Sequence, residues 1–265
     1  MRKVLPIVLA ALLAATLVVA GCGKTTPKFG DAKKLLEDSN KAMQSVKSYK
    51  AVGDISIYSN APEAGKMNFD FEMQIQQKGP ADFAGRMTMN SMGQDIDMYM
   101  VNGYAYTNDP EQGWVKQPLS DLSDFSRLAS PSDISKLGDA ADNTRILTED
   151  SQYYKIAFDL SADYIKELMG LEKGTEGLSA EEKKMAQEML EGMQMSAVFK
   201  IEKSTMYVLG MAMSLNMPNV PTVGALKMEE KINLSEFNQP VEITLPPEAQ
   251  NAKEVTSGGT VTPGL

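Results

Sequence analysis

Few side chains in this sequence could do chemistry, and most of those carry sulfur. Nineteen methionines occur in 265 residues. Met87 with Met89, Met98 with Met100, Met193 with Met195, and Met211 with Met213 are pairs spaced two apart. On a strand, such residues share a face, and paired thioethers are soft ligands suited to Cu(I). Copper sites usually add imidazole or thiolate, and the chain has no histidine and one cysteine. The missing histidine also removes Ser-His-Asp and Cys-His catalysis and every His-ligated zinc or iron centre. No Gly-rich phosphate loop and no Gly-x-Ser-x-Gly elbow occurs. Asp95 with Asp97 and Asp121 with Asp124 are carboxylate pairs, but with 35 acidic against 26 basic side chains they read as acidic surface. The expectation is a protein that is not an enzyme and has no resident metal or cofactor. Its net charge of -9 repels phosphate backbones, so nucleic acid is not an expected partner.

The elements that position the methionines follow from period. Residues 31–47 read as a helix that Asp31 could cap, with Ala32, Leu35, Leu36, Met43 and Val46 on one stripe. From Tyr49 the period changes to two. Met67, Phe69, Phe71, Met73 and Ile75 alternate with polar residues, and Met87 and Met89 oppose Arg86, Thr88 and Asn90, which predicts antiparallel strands with one dry and one wet face. Asn102-Gly103 predicts a type I′ hairpin pairing Val101 with Tyr104, Met100 with Ala105 and Tyr99 with Tyr106. Ile96, Met98 and Met100 then face the dry side, and Asp95, Asp97, Tyr99 and Tyr106 the wet side. Short helices are expected at 120–128, 131–138 and 161–169, and a longer one behind the capping box Ser179/Glu182. Strands are expected over 144–149 and 152–160. Further strands carry Met195 to Ile201, Tyr207 through Leu209 to Met217, Leu226 to Leu234 and Val241 to Leu245. Glu230 is the one charged intruder on a dry face. It reads either as a contact to a ligand head at a cavity rim or as the mark of a bulge or strand end. Trp114, after the Gly113 turn, reads either as a packing anchor at the barrel end or as a ligand contact.

About ten strands and three to five helices form one α+β domain. Strands dry on one face only require a curled antiparallel sheet, an incomplete β-barrel with helices over its concave face. Methionine is unbranched and polarizable, and Met-rich surfaces accept ligands of varied shape. Two readings of the dry face stay open: an adaptable apolar pocket, or a core filled by the protein's own side chains. If it is a pocket, its candidate lining is Met67, Phe69, Phe71, Met73, Met87, Met89, Met98, Met100, Phe158, Phe199, Met211, Met213, Met228 and Glu230.

The N-terminus supplies an address. Arg2 and Lys3 precede an apolar run from Val4 to Ala20, the pattern of an export signal. Val19-Ala20-Gly21-Cys22 resembles a bacterial lipobox, and the resemblance implies cleavage before Cys22 and a diacylglyceryl group on its sulfur. Palmitate is the expected acyl type. Two acyl chains make a stable membrane anchor, where one binds reversibly. Residues 1–21 carry two bases and no acid, so the mature chain has a net charge of about -11 and relies on lipid, not charge, to stay at an anionic membrane. The expected division is 1–21 signal peptide, 22–30 lipidated cysteine and tether, 31–250 domain, and 251–265 disordered tail.

The order of elements carries a further resemblance. A lipobox and tether precede a helix ending at Ser48-Tyr49 and long amphipathic strands. Tyr104-Ala105-Tyr106, Trp114-Val115-Lys116 and a Leu245-Pro246-Pro247 exit follow. Over residues 31–250 this is similar to LolA-like proteins, particularly LolA-like lipoproteins of Gram-positive bacteria and, more distantly, LppX and LprG. The resemblance implies an incomplete barrel with a helical lid over a cavity that holds acyl chains. The chain departs from it in being anchored, where the LolA carrier is soluble, and in placing Arg86 on the wet face, which leaves no cavity arginine. The expected function is a lipoprotein on the extracytoplasmic side of the cell membrane that binds a lipid or other hydrophobic ligand. The alternative is a surface lipoprotein with a self-filled core that acts through protein contacts.

Overall fold

The computed structural model describes residues 29–60, 65–77, 83–91, 93–109, 112–119, 131–161, 163–165, 192–220 and 224–255. The lipobox, the expected helix at 120–128, most of that at 161–169, the capping box and residues 256–265 lie outside them. Helix α1 (Phe29–Gln44) leads into β1 (Ser48–Ser59), β2 (Lys66–Gln77), β3 (Phe83–Ser91), β4 (Gln94–Val101), β5 (Tyr104–Asp109) and β6 (Gly113–Pro118). Helix α2 (Pro131–Asp139) precedes β7 (Ala141–Glu149), β8 (Tyr153–Leu160), β9 (Gln194–Glu202), β10 (Val208–Val220) and β11 (Gly224–Ser235). A 3-10 turn (Pro247–Asn251) and β12 (Lys253–Glu254) close the order.

All twelve strands form one sheet in the order β12-β6-β5-β4-β3-β2-β1-β11-β10-β9-β8-β7. The chain meanders outward from β1 to β6, resumes at the opposite edge with β7, and returns inward until β11 pairs antiparallel with β1. The sheet does not close on itself: β7 and β12 are its two edges and do not pair. An antiparallel sheet of this width twists and curls, which gives the expected open, curled α+β fold.

Local sequence explains most of the register. Asn102 and Gly103 both have positive φ, 53° and 79°, and the type I′ turn delivers the pairs Val101–Tyr104, Met100–Ala105 and Tyr99–Tyr106. The bulge between Val208 and Gly210 corrects one strand: Val208, not Leu209, is the fully buried residue at that end of β10. The Val208 N–H donates to the Met43 Sδ at 3.4 Å, so α1 caps a backbone group that the bulge removes from the ladder. Helix α1 begins at Phe29, two residues before Asp31, which therefore lies in the first turn and is not the cap. Ala32, Leu36 and Met43 form the buried stripe. Helix α2 crosses α1 closely at Gly138, where any Cβ would meet the Asn40 side chain. The Asn40 Nδ2 donates to the Asp139 carboxylate at 2.9 Å across that crossing.

The C-terminal segment overturns two expectations. Residues 241–245 are not a strand. Both edges of β11 are already taken by β1 and β10, so no partner is free there, and Pro240, Pro246 and Pro247 bracket the segment. It crosses the wet side instead and packs Ile243, Leu245, Ala249 and Ala252 onto Tyr99, Tyr106 and Trp114. Tyr99 and Tyr106 are consequently buried, although they share their face with Asp95 and Asp97. The chain stays ordered beyond the expected boundary at 250: β12 pairs parallel with β6, and the Val255 N–H donates to the Lys116 carbonyl at 2.9 Å.

Candidate functional site: the dry face of the sheet

Register aligns the dry-face residues in rows across the strands. One row runs Leu234, Ala51, Met73, Met87, Met98, Thr107, Val115. The next runs Phe199, Met211, Ile232, Gly53, Phe71, Met89, Ile96. A third runs Phe158, Ala197, Met213, Glu230, Ile55, Phe69. A fourth runs Met195, Leu215, Met228, Ile57, Met67. All fourteen residues singled out from the sequence as candidate lining thus occupy dry-face positions, Met100 lying two residues beyond Met98 on β4. Gly53 is needed where the Phe71 ring lies across β1, since a Cβ there would sit 2.7 Å from Cζ of that ring.

The rows differ in how they are covered. Phe158 and Phe199 are fully buried and meet edge to face at 4.9 Å. Phe71, Met73, Met100, Met211 and Met213 are also buried in the core that α1 and α2 cap. Met67, Phe69, Met87, Met89, Met98 and Met228 are only half-buried, and so are Ile55 and Ile57. These half-buried residues form an apolar strip across β4, β3, β2, β1 and β11. Reading the sequence missed the share of β1 in it, although Tyr49, Ala51, Gly53, Ile55 and Ile57 alternate as clearly as the residues of β2 do. Three of the Met-x-Met pairs lie on the dry face among aliphatic and aromatic neighbours, and the described residues hold no cluster of three or more acidic, Cys or His side chains that could bind a metal.

Glu230 sits in the third row between Met213 and Ile55. It has no hydrogen-bond or ion-pair partner among the described residues. Burial, with a smaller contribution from the Asp54 charge, pushes its carboxyl up to about 7. Glu230 lies within the continuous β1–β11–β10 ladder, whose irregularity comes at the far end of β10, between Met217 and Val220, so it marks neither a bulge nor a strand end.

The wet face carries the charge. Arg86 lies there as expected, 3.6 Å from the Asp97 carboxylate and over the Tyr99 ring. Lys50 pairs with Glu72 at 2.8 Å, and Thr88 donates to Asp97 at 2.7 Å. A groove of about 640 Å³ on this side is lined by Asp54, Asp70, Glu72, Arg86, Thr88 and Asn90. Four of these side chains pair with wet-face neighbours outside the lining, Glu72 with Lys50, Arg86 and Thr88 with Asp97, and Asn90 with Asp95, and the groove lies across the sheet from the apolar strip. Trp114 packs edge-on against Tyr99 at 5.9 Å beneath the C-terminal segment, as a packing anchor should.

Fold and site together define a class: a wide open antiparallel sheet, curled, wet on one side and apolar on the other, with helices seated on the apolar side. The chain belongs to a family of unknown function, DUF6612, which matches residues 31–254. Comparison with curated proteins gives no match. Among solved structures the chain is similar to LprF from Mycobacterium bovis, at 13% identity and a TM-score of 0.49, over 82% of this chain and 97% of that one. It is similar to the lipoprotein LppX from Mycobacterium tuberculosis at 12% identity and a TM-score of 0.49, over 81% and 99%. A LolA superfamily protein from Nitrosomonas europaea shares 12% identity at a TM-score of 0.28, over 81% and 94%.

Proposed function

We propose that this protein is a non-enzymatic lipoprotein, anchored through Cys22 on the extracytoplasmic side of the cell membrane, that holds a lipid or other hydrophobic ligand on its dry face. One observation carries the reading: a strip of half-buried methionine, phenylalanine and isoleucine continues the sealed core across five strands without a charged side chain except Glu230. Exposed apolar area of this extent is unfavourable in water, and an acyl chain laid along it gains roughly 0.8 kcal/mol per buried CH₂. Methionine side chains adapt to chains of different length. Mass spectrometry of organic extracts from protein purified out of its own membrane tests the reading. A co-purifying lipid in near-stoichiometric amount is expected. An empty extract, together with no binding of added acyl probes, would overturn it. The buried state of Phe158, Phe199, Met211 and Met213 favours a second reading for that half of the face, a self-filled core, with function then residing in protein contacts.

A further inference from the structure

We infer that the dry face selects an uncharged amphiphile, whose acyl part lies on the methionine strip and whose hydroxyl or ester head hydrogen-bonds to the Glu230 carboxyl. The inference rests on the ligand-binding reading above and names the class of ligand.

Glu230 is placed where a head group would meet it. Met213 and Ile55 flank it in its row, while Met228, Ile57 and Met67 form the adjoining row of partly open residues. No lysine or arginine occupies a dry-face position among the described residues of β1, β2, β9, β10 and β11. The charged groups near it lie behind the sheet: Asp54 on β1, and Glu229 and Lys231 on either side of it in β11. Glu229 is held by Lys227 at 2.7 Å, and the adjacent wet-face positions of β10, Ala212 and Ser214, carry no charge.

These surroundings discriminate between heads. A phosphate or free carboxylate would place a negative charge among apolar side chains with no cation to compensate it. An ammonium would find the carbonyl oxygen of a protonated carboxyl, no counter-charge, and no acceptor for its remaining N–H groups. A hydroxyl or ester needs neither. A carboxylic acid offers one donor and free acceptor sites, so it can donate to an ester carbonyl or accept from a hydroxyl. Burial keeps the proton on Glu230 further into the neutral range than on an exposed carboxyl, which agrees with that role.

Displacement of a fluorescent monoacylglycerol from the purified full chain tests this at about pH 6, below the Glu230 value of about 7, where Glu230 holds its proton while palmitate and hexadecylamine carry their charges. The competitors are monopalmitoylglycerol, palmitate and hexadecylamine, which share a chain length. Monopalmitoylglycerol should compete at least about tenfold better than the other two. Glu230→Gln keeps a donor and an acceptor without charge, so it should retain monopalmitoylglycerol within about threefold and keep the order of the three competitors. Glu230→Leu should weaken monopalmitoylglycerol about tenfold or more, with thermal melting confirming that the variant is folded. Equal competition by palmitate or hexadecylamine in the wild type, or a leucine variant with undiminished affinity, would overturn the inference and leave ligand binding intact. Failure of every probe to bind would bring down both.

Discussion

Glu230→Gln should change how stability depends on pH. In the folded protein the Glu230 carboxyl titrates at about 7, against an ordinary value of 4.5, because burial penalises its charged form. The folded state therefore binds more protons than the unfolded state between these two values. A raised carboxyl pKa contributes a loss of stability as pH rises through that window, complete above the folded value. Two to three pKa units at 1.36 kcal/mol each give roughly 3 kcal/mol. Glutamine cannot ionise, so the variant escapes this loss. Its amide is buried at every pH, and that cost cancels when the difference between the two proteins is followed with pH. Glu229 and Asp150, held below the usual carboxylate range by Lys227 and by the backbone N–H groups of Gln152 and Tyr153, are present in both proteins and cancel too. Urea unfolding at pH 5, 6, 7 and 8 reads the effect. The variant should gain roughly 3 kcal/mol relative to wild type from the acid to the basic end, with most of the change between about pH 5 and 7. A constant difference across the series would refute the assignment of Glu230 as a desolvated acid.

Other perturbations separate the parts of the molecule. Cys22→Ser should leave an unprocessed precursor and abolish incorporation of labelled palmitate, whereas equal labelling would exclude Cys22 as the anchor. Truncation after Val255 should leave the melting temperature unchanged. Truncation before Pro247 removes Ala249 and β12 from Tyr99, Tyr106 and Trp114, so it should lower the melting temperature and shift the emission of the single tryptophan to longer wavelength. Met211→Gln buries an amide in the sealed rows and should cost about 1–3 kcal/mol in urea unfolding. Met89→Gln in the half-buried strip should spare stability and weaken acyl-probe binding, and a reversal of these two outcomes would put the open strip in the wrong rows.

Much of the sheet is legible in the amino-acid sequence, because side-chain alternation is a property of each strand alone. Met67 to Ile75, Met87 with Met89, and Met98 with Met100 face the side their period assigns, and Arg86 and Asp97 face the other. The Asn102-Gly103 hairpin is legible for the same reason: two residues with positive φ set their own turn and hence the register beside it. Glu230 stands out in the sequence as a carboxylate in an apolar row, and that row is where it lies.

Partner choice and coverage are not legible there. Nothing near Ile55 states that its neighbour across the ladder is Glu230, because that pairing joins distant parts of the chain and depends on β7 to β11 returning from the far edge. The Val208 bulge moves the buried position by one residue, a change invisible to a period of two. Val241 to Leu245 has the composition of a strand, yet it forms a strap over Tyr99 and Tyr106, since a strand needs a free edge and β11 offers none. Alternation divides the sheet into a dry and a wet face. Only the packing of α1 and α2 over some rows and not others decides which methionines become core and which stay partly open, because burial depends on contacts that the local period does not contain.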